Sequence, residues 1–224
     1  EIDPQDPTAA PRKRTALGRF CHEGANTILT KDGRVATYMG DDAKFEYVYK
    51  FVTKGRFEPA RREPNMDLLD EGTLFVARFN ADGKVEWLPL VHDERGPLNS
   101  AAGFASQAEV VIRCREAADL LGATPMDRPE DVEPSPVTGR VYMALTKNDS
   151  RAPERRDFMG RNIDLGPNAA NPRPKNDFGH IVELIEDGDD ASSLRFAWNV
   201  FLLAGDPRDG AARFLTRAED LAAG

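Results

Sequence analysis

The chain alternates short apolar runs with turn residues, a pattern typical of β-strands joined by hairpins. Residues 26–30 and 34–39 are apolar runs separated by Lys31, Asp32 and Gly33. Because Asp-Gly between apolar runs is a strong hairpin signal, we predict two paired strands here. A third strand is predicted at residues 47–52.

The same pattern recurs along the rest of the chain. Further strands are predicted at residues 73–80, 85–90, 131–133, 141–145, 180–185 and 195–203. Within the first of these, Leu74, Val76 and Phe79 place an apolar face inward. Repeated short strands with one helix between them favour an all-β fold. We predict part of a β-propeller, with several blades of short antiparallel strands and one inserted helix.

The helix is predicted between residues 106 and 121. Ser106 and Glu109 form a capping box, and Gly122 is a typical helix stop. The predicted buried stripe consists of Val110, Val111, Cys114, Ala117, Ala118 and Leu121. A second, short helix is predicted in the tail, within residues 207–224.

Two long polar loops, residues 57–71 and 150–175, separate the predicted strands. Loops of this length are usually functional or mobile. The second loop is rich in arginine and includes Arg151, Arg155, Arg156 and Arg161. We favour solvated arginines over a role in facing phosphate.

Composition excludes two classes of partner. The 224 residues carry a net charge of -8 with a pI near 5.0, so no basic surface is available for a nucleic-acid backbone. No apolar run reaches the roughly 20 residues that a membrane-spanning helix needs. Residues 1–14 are polar and contain prolines, which indicates an interior linker of a longer protein.

The two cysteines, Cys21 and Cys114, lie far apart and lack the spacing of a zinc site. A disulfide between them is an alternative if the protein is exported, although we favour unpaired, buried cysteines. The sequence His22-Glu23 continues with Gly-Ala-Asn, so it is not a zinc-protease motif, and no phosphate-binding loop or serine elbow is present.

Two segments align on their turn glycines and place a glutamate at a similar distance before each. Glu23 lies ten residues before Gly33, and Glu130 lies nine before Gly139. In a propeller such positions converge on the central channel, where clustered carboxylates need a cation. The segments therefore predict a hard, oxygen-ligated metal. The alternative is two surface glutamates with coincidental spacing.

Six ordered blocks, covering residues 19–207, together resemble the PhoX-type alkaline phosphatase family. The blocks are residues 19–25 (RFCHEGA), 40–51 (GDD followed by YVYKF), 69–90, 122–131 (GATPMDRPED), 139–142 (GRVY) and 198–207 (WNVFLLAGDP). The resemblance implies a six-bladed propeller, twin-arginine export to the periplasm or medium, and phosphomonoester hydrolysis at calcium and iron ions.

On this resemblance, Glu23 and Glu130 are metal ligands and Arg128 binds phosphate. The resemblance also implies a longer protein, with an iron-ligating cysteine upstream and further acidic ligands downstream, and Cys21 does not match that cysteine. We therefore expect a linker at 1–18, propeller blades at 19–207 and a tail at 208–224. Only part of the active site would lie in this chain, and a truncated propeller would be prone to self-association.

Two other functions stay open at this stage. One is a noncatalytic propeller that serves as a binding platform. The other is a lactonase-like or phosphotriesterase-like propeller hydrolase, which shares calcium in the channel but typically lacks the arginine arrangement of residues 126–130.

Overall fold

A computed structural model describes residues 1–208 and 212–214 of the chain. The strands are β1 (His22–Leu29), β2 (Arg34–Asp41), β3 (Val48–Arg56), β4 (Gly72–Phe79), β5 (Lys84–Pro89), β6 (Pro129–Pro134), β7 (Val141–Leu145), β8 (Glu154–Arg156), β9 (Asn162–Asp164), β10 (His180–Glu186), β11 (Arg195–Leu203) and β12 (Arg213–Phe214). The α-helices are α1 (Gln107–Ile112) and α2 (Cys114–Leu121). Short 3₁₀ helices span Thr15–Leu17, Glu63–Asp70, Ser100–Ala102 and Asp187–Asp189.

Ten of these strands form one antiparallel sheet, and β8 and β9 form a separate hairpin. The sheet follows the order β1-β2-β3-β4-β5-β11-β10-β7-β6, with β12 paired to β11. Strand β6 lies close to β1 and β2, so the sheet is nearly closed on itself. The predicted all-β, propeller-like fold with an inserted helical segment is confirmed.

The first hairpin begins earlier than the sequence indicates. Strand β1 starts at His22, so the His-Glu-Gly block lies within a strand and not before it. Residue Glu23 pairs with Gly40, and a bulge follows between Glu23 and Asn26. At the turn, Gly33 has a φ of 84°, which explains the glycine.

Two apolar clusters cover the two faces of the sheet. The inner cluster fills the nearly closed sheet with residues that alternate along its strands, including Ala36, Tyr38, Phe75, Trp87, Val132, Met143, Leu184 and Phe196. The outer cluster packs the other face of β2, β3 and β4 against the helices and includes Met39, Tyr49, Leu74, Val76, Val110 and Cys114. This period-two alternation explains why the strands could be predicted from the sequence. The prediction of one inward face for Leu74, Val76 and Phe79 is wrong, because Leu74 and Val76 lie in the outer cluster and Phe79 lies in the inner one.

The single predicted helix is interrupted in the structure. Arg113, with φ -107° and ψ 37°, separates α1 from α2. The predicted ends are confirmed: the Ser106 side chain accepts a hydrogen bond from the amide of Glu109, and Gly122 ends α2 with a φ of 73°. Cys114 is buried as its stripe indicates, whereas Cys21 is exposed, and both are free thiols.

Two predictions from the sequence concern the ends of the chain. Most of the predicted tail helix in 207–224 lies outside the described residues, and the described residues 213–214 pair with β11 as a strand. Near the start, the buried Arg14 side chain pairs with Asp70 at 2.8 Å. The domain boundaries at residues 18 and 207 stay predictions.

One ion pair is fully enclosed by the inner cluster. The ammonium of Lys50 lies 3.1 Å from Glu186 Oε1 and 4.6 Å from the Trp87 ring centroid. The same carboxylate oxygen accepts hydrogen bonds from the Tyr38 hydroxyl at 2.7 Å and the Trp87 indole at 3.1 Å. Burial lowers the pKa of Lys50 to about 8 and raises the pKa of Glu186.

Replacing Lys50 with Met should lower the free energy of unfolding by about 3–5 kcal/mol, because the Glu186 carboxylate is left buried without its cation. The double variant Lys50→Met/Glu186→Gln should regain part of this loss. Urea denaturation measures both, with Lys54→Met, whose partner Glu71 is exposed, as the control. A double variant that is no more stable than Lys50→Met contradicts this account.

Candidate functional site

Strand β6 approaches β2 closely because Gly40 has no side chain. A Cβ atom at Gly40 would lie 2.1 Å from the carbonyl oxygen of Glu130 and 2.7 Å from that of Pro129. Glu23 is paired with Gly40 across β1 and β2, and directly opposed residues of an antiparallel pair project to the same face. The closure therefore brings Glu23 and Glu130 to the same region.

Arg128 lies among carboxylates at the start of β6. Its Nε is 2.7 Å from Asp42 Oδ1, its Nη2 is 3.2 Å from Asp42 Oδ2, and its Nη2 is 3.8 Å from Glu130 Oε1. The hydrogen-bonded Asp42, with further attraction from Glu130 and Glu23, raises the pKa of Arg128. The side chain stays 39% exposed, so an anion from solvent can reach it.

Glu130 is oriented by the neighbouring strand. The hydroxyl of Thr146, the residue after β7, donates a 2.7 Å hydrogen bond to Glu130 Oε1. The amide of Thr146 donates to the carbonyl of Arg128 at 3.1 Å. Thr146 thus restrains both the backbone at Arg128 and the carboxylate of Glu130.

The three residues Gly40, Asp41 and Asp42 have three different tasks. Gly40 admits β6, and Asp42 holds Arg128. The fully buried Asp41 accepts two hydrogen bonds from Arg115 of α2, at 2.6 and 2.8 Å, and so ties the helices to β2. Sequence reasoning missed Asp42 as a site residue, although it lies in one of the blocks that carry the family resemblance.

The arginines of the 150–175 loop do not behave alike. The Arg151 side chain is fully buried, and its Nε lies 2.6 Å from Asp127 Oδ1, so both interpretations from the sequence, solvated or phosphate-facing, are wrong for it. Arg155 is 28% exposed and pairs with Asp119 at 2.7 Å. Of the four arginines named from the sequence, Arg156 and Arg161 are exposed as we favoured.

The carboxylates at this site are the type of ligand that a hard cation prefers, but they are too few to complete its coordination. Carboxylate oxygens suit calcium, which takes about 6–8 oxygen ligands. Among residues 1–208 and 212–214, no three acidic, histidine or cysteine side chains are arranged to hold a metal together. Arg128 is the cation between the carboxylates here, and Glu23 and Glu130 could each supply only part of a coordination sphere.

His22 has a packing role. Its ring stacks on Phe20, with centroids 3.7 Å apart, and its Nε2 lies 3.0 Å from the carbonyl of Gly18. Phe20 stacks in turn on Tyr49. These contacts hold the start of β1, immediately before Glu23, against the outer cluster.

Comparison with known proteins identifies the family of the chain. The family described as alkaline phosphatase PhoX matches residues 1–222. The solved structure of Pseudomonas fluorescens PhoX in complex with vanadate, a transition state analogue, is similar with a TM-score of 0.82 and 46% identity, covering 92% of this chain and 35% of that one. No match was found among curated proteins.

The chain therefore belongs to the PhoX alkaline phosphatase family, a family of secreted, metal-dependent phosphatases. It spans about a third of the length of the solved relative. Membership does not favour a noncatalytic platform or a lactonase-like hydrolase. Among the helices of the described residues, none has the length and apolar character needed to cross a membrane.

Gly40→Ala should lower the free energy of unfolding by at least about 2–3 kcal/mol, because the new methyl group overlaps the backbone of β6. Gly139→Ala is the control: its Cβ would meet no atom within 4 Å, and the φ of 70° alone should cost about 1–2 kcal/mol. Urea denaturation compares the two. Equal losses would show that close approach at Gly40 does not govern packing of β6.

Proposed function

We propose that this chain supplies part of the active site of a phosphatase that hydrolyses phosphomonoesters. The observation that carries the proposal is the placement of Arg128, partly exposed, among Glu23, Asp42 and Glu130. Membership of the PhoX family supports it, as does the similarity to a relative whose structure holds vanadate, a transition state analogue.

Arg128 is the proposed phosphate-binding residue. A guanidinium presents parallel N–H donors that match two oxygens of a phosphoryl group, and it stabilises charge that develops during transfer. Asp42 contacts Nε and Nη2 and so restrains the orientation of the guanidinium. Substrate phosphate would bind on the part of the guanidinium that faces solvent.

Glu23 and Glu130 are the proposed metal ligands, and the proposed metals are calcium and iron. Metal ions at such a site supply Lewis acidity and lower the pKa of bound water. Thr146 directs the Glu130 carboxylate, and the pairing of Glu23 with Gly40 directs its side chain to the same face. The remaining ligands would come from parts of the full-length protein beyond this chain.

Two further proposals concern the whole protein. Twin-arginine export to the periplasm or medium is proposed from the family, whose members are secreted. Self-association of the isolated chain stays a prediction from the sequence, and size-exclusion chromatography of the 224-residue chain would measure it.

In the full-length enzyme supplied with calcium and iron, Arg128→Ala should lower the rate of p-nitrophenyl phosphate hydrolysis about 10²–10³-fold. Arg128→Lys should fall between the wild type and Arg128→Ala, because it keeps the charge but loses the fork. Glu130→Gln should lower the metal content measured by elemental analysis. Arg156→Ala, which removes an exposed arginine, is the matched control.

Wild-type activity in Arg128→Ala would contradict the assigned role of this residue. A full-length wild-type protein that is folded and metal-loaded but has no phosphomonoesterase activity would contradict the proposed function as a whole. In that case a binding platform would be the better account.

A further inference from the structure

A buried polar network lies directly beneath Arg128. The residue before it, Asp127, is fully buried and contacts Arg151 Nε at 2.6 Å through Oδ1 and Asn176 Nδ2 at 2.7 Å through Oδ2. The Asn176 amide also lies 3.0 Å from His180 Nδ1, and His180 Nε2 lies 2.8 Å from the carbonyl of Ala170. Both oxygens of the Asp127 carboxylate thus have a fixed partner.

Arg151 joins two separate parts of the chain through this carboxylate. Besides Asp127, its guanidinium donates to the carbonyls of Leu165 at 3.2 Å, Gly166 at 2.9 Å and Pro125 at 3.2 Å. The polar loop at 150–166 is therefore fastened to the segment that leads into β6. A planar guanidinium has five donors in a fixed geometry, which a lysine ammonium cannot reproduce.

The backbone leading to Arg128 is held on both sides. The amide of Met126 donates to the carbonyl of Glu46 at 3.0 Å, and the amide of Phe45 donates to the carbonyl of Met126 at 2.9 Å. The amide of Asp127 donates to Asn171 Oδ1 at 2.8 Å, and its carbonyl accepts from Asn148 Nδ2 at 3.2 Å. The path of the chain at Arg128 is therefore strongly determined.

Phe45 shows how tightly this region is constrained. It has a φ of 68°, a left-handed conformation that a bulky residue rarely adopts. The guanidinium of Arg151 lies 5.6 Å from its ring centroid, so the same arginine contacts the loop that carries Asp42. Arg151 thus touches the supports of both partners in the Arg128–Asp42 ion pair.

We propose that Arg151, acting through Asp127, is a positioning residue that fixes the phosphate-binding guanidinium of Arg128 against Asp42. The inference rests on the proposed function for its kinetic consequence, but its geometric content is independent of activity. Burying an ion pair carries a large desolvation cost, and apolar replacement often stabilises a protein. A role in positioning Arg128 would explain why the ion pair of Arg151 and Asp127 is buried.

The kinetic test is a double-variant cycle in the full-length enzyme, with p-nitrophenyl phosphate as substrate and inorganic phosphate as inhibitor. Arg151→Lys should lower kcat/KM and weaken phosphate inhibition by about 10- to 100-fold, the loss that slight misplacement of a binding group produces. In the Arg128→Lys background, Arg151→Lys should lower kcat/KM by less than about threefold. The guanidinium that Arg151 positions is already absent there, so the two effects should not add. Arg156→Lys is the exposed control.

Equal losses from Arg151→Lys in both backgrounds would overturn the proposal, because a structural defect acts regardless of Arg128. A lower melting temperature with unchanged kinetics would overturn it as well. If the wild type shows no phosphomonoesterase activity, the proposed function fails, and the geometric part is decided separately by crystallography.

The second measurement is a crystal structure of full-length Arg151→Lys, compared with the wild type. The expected result is loss of the contact between Arg128 Nε and Asp42 Oδ1, which is 2.7 Å in the present structure. Retention of this contact, in a variant that folds, would overturn the positioning role whatever the enzyme's activity. If Arg151→Lys does not fold, Asp127→Asn, which keeps the side-chain shape, takes its place in both measurements.

Discussion

The site depends on the absence of a side chain at Gly40. Because this position has no Cβ, the backbone of Pro129 and Glu130 can lie directly on the inner face of β2, and the sheet closes at that contact. Closure brings together residues that are more than 100 positions apart in sequence, Glu23 on β1 and Glu130 on β6. Without it, the carboxylates and Arg128 would lie on separate hairpins and form no common site.

Apolar and polar packing have separate tasks in this fold. The inner cluster of alternating residues stabilises the nearly closed sheet and encloses the ion pair of Lys50 with Glu186. The segment before β6 is instead held by hydrogen bonds, several of them from buried side chains. Hydrogen bonds are directional, so they fix the position of a backbone segment more closely than apolar contact does.

The hairpins, the helix ends and the all-β class could be predicted from the sequence, because turn glycines, the Ser106 cap and period-two alternation are local signals. The break at Arg113 was not predicted; the side chain of this arginine donates to the carbonyl of Gly103 and lies over the ring of Phe158, and no local signal indicates these contacts. The order of strands in the sheet could not be predicted from local signals either, because β5 pairs with β11, which is distant in sequence.

The site was predictable in part. Resemblance to a family pointed to Glu23, Arg128 and Glu130, and the fold gathers all three, although their roles remain proposals. Asp42 and Arg151 were missed for opposite reasons. Nothing local distinguishes Asp42 from its neighbour Asp41, which binds α2, and Arg151 lies in a polar loop whose composition indicates exposure, whereas its partner Asp127 buries it.

The most direct test of the account is a crystal structure of the full-length protein with calcium, iron and vanadate. The account predicts that Arg128 donates to vanadate oxygens at about 2.7–2.9 Å and keeps Asp42 as its neighbour. Glu23 and Glu130 should lie about 2.0–2.6 Å from the metal ions. Vanadate bound away from Arg128, with neither glutamate on a metal, would contradict the central claim that closure at Gly40 assembles a phosphate site.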